Sequence, residues 1–277
     1  MHQEHYINGP KVLSDKELMS SASPQYDARL ATHEQDFIAA QRLRYQVFVE
    51  ELGGDGPLVD HDNRLERDRF DPFCEQMILV DLSKDPANLD HVVGVYRLLR
   101  GSEAAKAGGF YSAGEFDLSV LERSGRSLLE LGRSCLHPDH RGGPAMYHLW
   151  TALAAFTLEH KIEILFGTAS FHGTNLAALA APLSLLYHRH LAPEDLRVRA
   201  LPEHYKSLNL RRATDLDRAA AILQVPALIK AYLRLGGFIG DGAYVDRAFN
   251  TIDVCLVLDT ARMNPRQRAI YTRGIDL

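Results

Sequence analysis

Two residues of complementary chemistry stand three apart in one apolar run, Glu130 and Arg133 in LLELGRSC (128–135). A glutamate can take a proton and an arginine can hold an anion, which suits proton abstraction beside an anionic substrate. By the two-residue period of a strand the pair would point to opposite faces. Gly132 between them invites a bulge that would re-aim one and bring both to a common cleft. A structural ion pair is the competing reading, because a neighbouring arginine lowers a glutamate's pKa and makes it a weaker base. The backbone from Leu131 to Ser134, freed at a bulged strand end, offers N–H donors for an oxyanion. Next comes HPDHRGG (137–143), a turn full of breakers, and Pro144 suits the first position of a helix over 144–160. Arg141, Gly142, Gly143 and the free N–H groups of that helix start form a candidate site for a phosphate-bearing donor.

The elements that must position these groups are legible on both sides. Ser127–Ser134 reads as the strand that carries the pair, and Met146, Leu149, Trp150, Leu153 and Phe156 recur at helical spacing after the turn. Ile162–Ala169 is apolar enough for a central strand. Upstream, Gln76–Leu82 and His91–Leu99 form a strand pair. Val93, Val95, Arg97 and Leu99 share a face there, and an inward arginine needs an anionic partner unless it snorkels at a sheet edge. Thr32 with Gln35 matches a capping box ahead of a helix whose buried face is Phe37, Ala40, Leu43 and Val47. Arg44 and Phe48, four apart, share a face of that helix. Glu51–Pro72 is a long polar connection, and its Asp68 and Asp71 either hold a cationic substrate or form a solvated cluster. Gly101–Gly125 is a loop-rich excursion with Phe110, Tyr111 and Phe116. A helix from Thr174 or Asn175 to about His190, a short strand at Leu196–Ala200, a helix over Pro226–Leu235 ended by Gly236-Gly237 and a last strand at Thr251–Leu258 complete the chain. The alternation argues an α/β or α+β fold with a mixed sheet. Residues 1–30 read as a loose lead-in to a single domain over 31–277.

The net charge of −5 argues against a nucleic-acid partner while leaving room for a local basic patch. Three distant cysteines without a CxxC fit a reducing cytoplasm and neither a disulfide framework nor a zinc site. Cys135 reads as a small buried residue rather than a nucleophile. The 13 histidines include no metal-binding pattern, so no metal is assigned. The N-terminus lacks a signal pattern. The most apolar run, Leu176–Tyr187, is shorter than the roughly 20 residues of a membrane span and contains Pro182. The expectation is a cytoplasmic protein, with peripheral membrane contact at most.

The segments LRYQVF (43–48), ERDRFDPF (66–73), VVGVYRLL (92–99) and LELGRSC (129–135) together resemble the GNAT acyltransferase fold, in the branch shared with acyl-homoserine-lactone synthases. Residues 169–200 and 226–259 resemble bacterial L-ornithine N-alpha-acyltransferases. The resemblance covers about residues 35–260. It implies a central mixed, mostly antiparallel sheet flanked by helices, and transfer of a 3-hydroxyacyl group from acyl carrier protein to the alpha-amine of L-ornithine, giving lyso-ornithine lipid. It implies that Arg44, Phe48, Asp68, Asp71, Arg97 and Phe116 order the acceptor region or line the cleft, and that Glu130 and Arg133 serve catalysis. The turn at 140–145 departs from the coenzyme A diphosphate loop of this fold. That suits a phosphopantetheine arm carried on a protein, with no separate cofactor.

Such an acceptor carries a carboxylate and a side-chain ammonium. Arg97 or Arg133 is the candidate for the first, and Asp68, Asp71, Asp246 or Asp253 for the second. An acidic carrier protein would dock on basic charge, for which Arg141, Arg189, Arg197, Arg199, Lys206, Arg211 and Arg212 are available. Competing readings are acylation of another amino acid or of S-adenosylmethionine, and a noncatalytic acyl-carrier-binding module. A pore-forming role is disfavoured because no barrel pattern is present.

Overall fold

The structure, a computed structural model, describes residues 25–273. Ten strands organise it: β1 (Tyr26–Leu30), β2 (Glu75–Asp81), β3 (Val92–Arg100), β4 (Phe116–Asp117), β5 (Leu128–Leu136), β6 (Ile164–His172), β7 (Arg199–Ala200), β8 (Phe238–Ile239), β9 (Tyr244–Asp246) and β10 (Thr251–Asp259). The main sheet runs β1-β2-β3-β5-β6-β10-β8, with β9 also on β10, while β4 and β7 pair separately. Within the main sheet only β5 and β6 are parallel. The expected mixed, mostly antiparallel sheet is the one observed.

The α-helices among the described residues are α1 (Glu34–Arg44), α2 (Gly101–Ala107), α3 (Ser119–Glu122), α4 (Ala145–Glu159), α5 (Ala180–His190), α6 (Arg218–Gln224), α7 (Ala227–Leu235) and α8 (Pro265–Thr272). A π-helix, Tyr45–Glu51, follows α1 and carries Phe48. On one face of the sheet, Leu149, Trp150, Leu153 and Phe156 of α4 and Ile229, Tyr232 and Leu235 of α7 pack on Leu129, Leu131, Leu165 and Val254. On the other, α1 lays Ala39, Ala40 and Leu43 on Ile78 and Val95. Beyond it on that face, Phe110, Phe116, Leu196 and Val198 cover Leu99, Phe166 and Val257.

Several boundaries differ from the sequence reading. The lead-in expected over 1–30 lies partly outside the described residues (1–24), and Tyr26–Leu30 are a strand, β1, paired with β2. Its alternation of Tyr26, Ala28 and Leu30 with Asp27 and Arg29 is a period-2 signal that so short an edge strand makes faint. The cap of α1 is His33 with Asp36, not Thr32 with Gln35. Asp36 accepts N–H bonds from Thr32 at 3.2 Å and His33 at 3.5 Å. Phe37, expected in the core, is exposed. In β3, Leu79 faces Gly94 while Val80 faces Val92, so Val93 is an extra residue and packs on the opposite face from Val95. Pro144 caps α4 rather than opening it. The turn at Asn175 caps Ala177 and Ala178, but regular helix begins only at Ala180. The excursion at 101–125 holds α2, β4 and α3. No helix among the described residues is long and apolar enough to cross a membrane.

Candidate active site

β5 and β6 begin as neighbours and then part. Their pairing covers Leu128–Glu130 against Ile164–Phe166 and goes no further. At the fork the two backbones still lie close: a Cβ on Gly167 would lie 2.2 Å from the Leu131 carbonyl oxygen, so only glycine fits. Beyond it a cavity of about 250 Å³ opens between Leu131–Ser134 and Gly167–Ser170. Its walls come from both faces of the sheet. Arg97, Glu130, Thr168 and Asp253 line one end, and Tyr96, Leu131, Leu165, Leu228 and Tyr232 line the other.

The bulge invited by Gly132 is present, one residue later. Val95 pairs with Cys135 and Arg97 with Gly132, so β5 carries an extra residue opposite Tyr96. Arg133 sits there in the left-handed region, φ +49°. That conformation strains a non-glycine residue, and the side chain's many contacts hold it. Its guanidinium carbon lies 4.9 Å from the Tyr111 ring centroid, 5.3 Å from Phe249 and 5.9 Å from Phe48. Its Nε and Nη2 reach Glu66 and Asp68, each at 3.0 Å.

These contacts belong to a buried network of three arginines and three carboxylates. Arg44, fully buried, pairs with Glu66 and with Asp71, the latter at 2.8 and 3.1 Å. Arg97 bridges Asp68 at 2.6 Å and Asp71 at 3.1 Å. Burial alone would push the acids' pKa values up, but the arginines outweigh it. Asp71 falls to about 2, with Arg44 the leading counter-charge. The signs balance, and each charge has at least two partners, the arrangement that makes buried ions tolerable.

Glu130 stands apart from this network. Its two carboxylate oxygens accept backbone N–H bonds from Tyr111 at 2.8 Å and Ser112 at 2.6 Å. Burial pushes its pKa up, and the N–H groups and the Arg97 charge restrain that rise. The side chain lines the cavity, and among the described residues no arginine or lysine is bound to it. Ser112 continues the chain of contacts, since its hydroxyl lies 3.1 Å from Thr168 Oγ1, which donates to Glu115 at 3.3 Å.

The residues singled out in the sequence therefore divide. Glu130, Arg133, Arg97, Phe48, Leu131 and Ser134 meet at the cavity. Arg44, Asp68 and Asp71 do not line it, and the two aspartates hold the chain's own arginines rather than presenting free charge. Phe116 is buried in the apolar core behind Leu99, Phe166 and Val257 and does not line it. The turn residues Arg141, Gly142 and Gly143 also lie off the cavity, and Arg141 is engaged by Glu51 through two bonds of 2.6 Å. The ion pair between Glu130 and Arg133, weighed from their spacing, does not form. Sequence reasoning missed Glu66, Ser112, Glu115 and Thr168. For Glu66 a signal existed: it opens ERDRFDPF (66–73), the segment that also supplies Asp68 and Asp71.

Residues 43–151 match the family model of the acetyltransferase (GNAT) domain. The chain is 57% identical over 258 residues to the L-ornithine N(alpha)-acyltransferase of Rhodobacter capsulatus, covering 93% of this chain and 99% of that protein. It belongs to the L-ornithine N(alpha)-acyltransferase family. It is an N-acyltransferase. The protein of the same name from Brucella abortus is 40% identical over 247 residues, 88% of each chain. Among solved structures, the AHL synthase LasI superposes with a TM-score of 0.52 at 14% identity, covering 92% of this chain and 98% of that one, a likeness of fold alone.

Proposed function

We propose that the protein transfers a 3-hydroxyacyl group from acyl carrier protein to the alpha-amine of L-ornithine, forming lyso-ornithine lipid, the first step of ornithine lipid synthesis. The observation that carries the chemistry is the cavity through the fork of the sheet, which joins an unpaired buried carboxylate at one end to an apolar wall at the other. The acceptor assignment rests on the named relatives that match nearly the whole chain.

In this reading Glu130 accepts a proton from the ornithine ammonium, and the free amine attacks the thioester carbonyl. Backbone N–H groups on the edge of β5 left unpaired by β6 stabilise the oxyanion. The tetrahedral intermediate then expels the phosphopantetheine sulfur, which leaves as a thiol with the second amine proton. The first proton passes from Glu130 to solvent. Arg133 Nη1 receives the alpha-carboxylate, its other nitrogens being held by Glu66 and Asp68. No cofactor beyond the carrier's own arm is needed. Beyond Leu165, Tyr232 and Leu258 lies a second cavity of about 470 Å³, lined by Trp150, Leu153, Leu235 and Met263, which suits a long acyl chain. The carrier-protein donor is supported by Arg141, whose pairing with Glu51 leaves it poorly placed for a coenzyme A diphosphate. The enzyme works in the cytoplasm, with peripheral contact to the membrane that receives the product.

Mass spectrometry of a reaction containing 3-hydroxyacyl-carrier protein and a pool of amino acids tests this. N-acylated ornithine is expected, and it should be absent when the corresponding acyl-coenzyme A replaces the carrier. Acylation of a different amino acid would overturn the acceptor, and equal rates with acyl-coenzyme A would overturn the donor.

A further inference from the structure

Three carboxylates that the catalytic scheme does not use converge beside the cavity. Oxygens of Glu115, Asp246 and Asp253 lie within 4.8 Å of one another. All three residues are buried, at 7%, 8% and 3% exposure. None is paired with an arginine or lysine among the described residues, unlike the acids of the neighbouring network. Such a group of like charges is costly unless a cation joins it. Asp246 has partial compensation, since its Oδ1 accepts N–H bonds from Ala248 and Phe249 at 2.7 and 3.0 Å. Among the described residues, Asp253 Oδ1 has no hydrogen-bond partner, and neither has the hydroxyl of Thr251, two residues back on the same face of β10. The Ser170 and Thr251 side chains lie near the Asp253 carboxylate and act to lower its pKa. Thr251, Asp246 and Asp253 all line the cavity. A buried hydroxyl and a buried carboxylate oxygen that open toward one cavity can both accept from a donor entering it.

We infer that Glu115, Asp246, Asp253 and Thr251 form the subsite for the side-chain ammonium of the acceptor, and so select a cationic amino acid over a neutral one. The inference deepens the proposed function and rests on its acceptor reading. The sheet supplies a ruler. Glu130 pairs with Phe166 across β5 and β6, and Thr168, which donates to Glu115, lies two residues further along β6. Two residues of strand rise roughly 6.6 Å. The alpha and side-chain nitrogens of ornithine are separated by five single bonds of about 1.5 Å each, an extended span of about 6 Å. An amine at Glu130 therefore places its other nitrogen near the acidic group. Burial, then the mutual repulsion of the acids, pushes the Glu115 carboxyl up, and burial also raises Asp253. The Glu115 carboxyl, pushed up to about 9, accordingly holds a proton that an arriving ammonium can displace.

The test is steady-state acylation by 3-hydroxyacyl-carrier protein with ornithine, with norvaline (the same skeleton without the ammonium) and with lysine. The wild type should prefer ornithine to norvaline by about 10²-fold or more in kcat/KM, since a site built for a polar group strongly rejects the analogue lacking it. Asp253→Asn and Glu115→Gln, measured separately in case one folds poorly, should raise the ornithine KM about tenfold or more. They should also collapse the ornithine-to-norvaline ratio while norvaline turnover persists. An unchanged ratio in both variants, or equal use of norvaline by the wild type, would overturn the subsite. So would loss of ornithine acylation on chelation with restoration by calcium or magnesium, because the acids would then be holding a metal ion. A wild type that acylates lysine but not ornithine, with the same response to the variants, would leave the subsite standing and remove only the ornithine assignment.

Discussion

Glu130 and Arg133 stand three residues apart on β5 and share no contact: Glu130 takes N–H groups from Tyr111 and Ser112, while Arg133 binds Glu66 and Asp68. The bulge at Arg133 separates them. Without it, the two would sit on opposite faces of the sheet. With it, both line one cavity, yet the arginine is committed to its own acids. Glu130 therefore keeps the basicity that a bound arginine would have taken away.

Glu130→Gln should lower kcat by about 10²–10⁴ with carrier-protein binding unchanged. The variant keeps one carbonyl oxygen for two N–H donors. It should therefore also lose about 1–3 kcal/mol of stability from the N–H left unsatisfied, a change that a melting curve separates from the kinetic one. Burial raises the Glu130 pKa, so the acid limb of the wild-type kcat profile should lie above the usual glutamate range of about 4.3. Turnover rises with pH as the carboxylate forms. Near-wild-type turnover in Glu130→Gln would remove this residue from the base role.

Arg44 touches no part of the cavity, so its loss should act on stability. Arg44→Met leaves Glu66 and Asp71 facing only Arg133 and Arg97, with one buried negative charge in excess. Removing one member of a buried ion pair costs about 3–5 kcal/mol. Urea unfolding should show a drop of that size. Adding Asp71→Asn restores the balance of signs, so the double variant should be less destabilised than the two single losses predict. Strict additivity would mean that the six charges do not act together.

The network also explains which parts of the site were legible in the sequence. Arg97, alternating with valine and leucine in a strand, demanded an anionic partner, and the polar segment 66–73 contained it. The fork of β5 and β6 was not legible, because strand pairing that stops after three residues leaves no local pattern. Glu115 lay in a segment read only as loop, and its role depends on strands more than 130 residues further on. Gly132 announced the bulge, but only the backbone shows Arg133 as the residue that adopts the left-handed conformation.

Acid should loosen the same network. Asp71 has a pKa of about 2 in the folded chain against an ordinary 3.8. A depressed acid contributes stability that is fully present above its unfolded pKa and lost as pH falls through the folded one. The contribution is about 2 kcal/mol, lost between about pH 4 and pH 2. Unfolding curves at pH 6, 4 and 2.5 should show this decline, shallower in Asp71→Asn. An identical slope in that variant would assign the acid sensitivity to other carboxylates.

The apolar end of the site carries the last expectation. Leu153 on α4 lines the second cavity beside Trp150, Leu165 and Tyr232, where the far part of the acyl chain would lie. Leu153→Trp adds bulk there without touching Glu130 or the acidic group. Long 3-hydroxyacyl donors should then lose kcat/KM by about tenfold or more, a cost of about 1.4 kcal/mol or above, while short donors keep theirs. Burying a large ring in this wall costs about 1–3 kcal/mol of stability, so rates are to be compared among donors within the same variant. A uniform decline for all chain lengths would place the acyl chain elsewhere and leave this cavity outside the reaction.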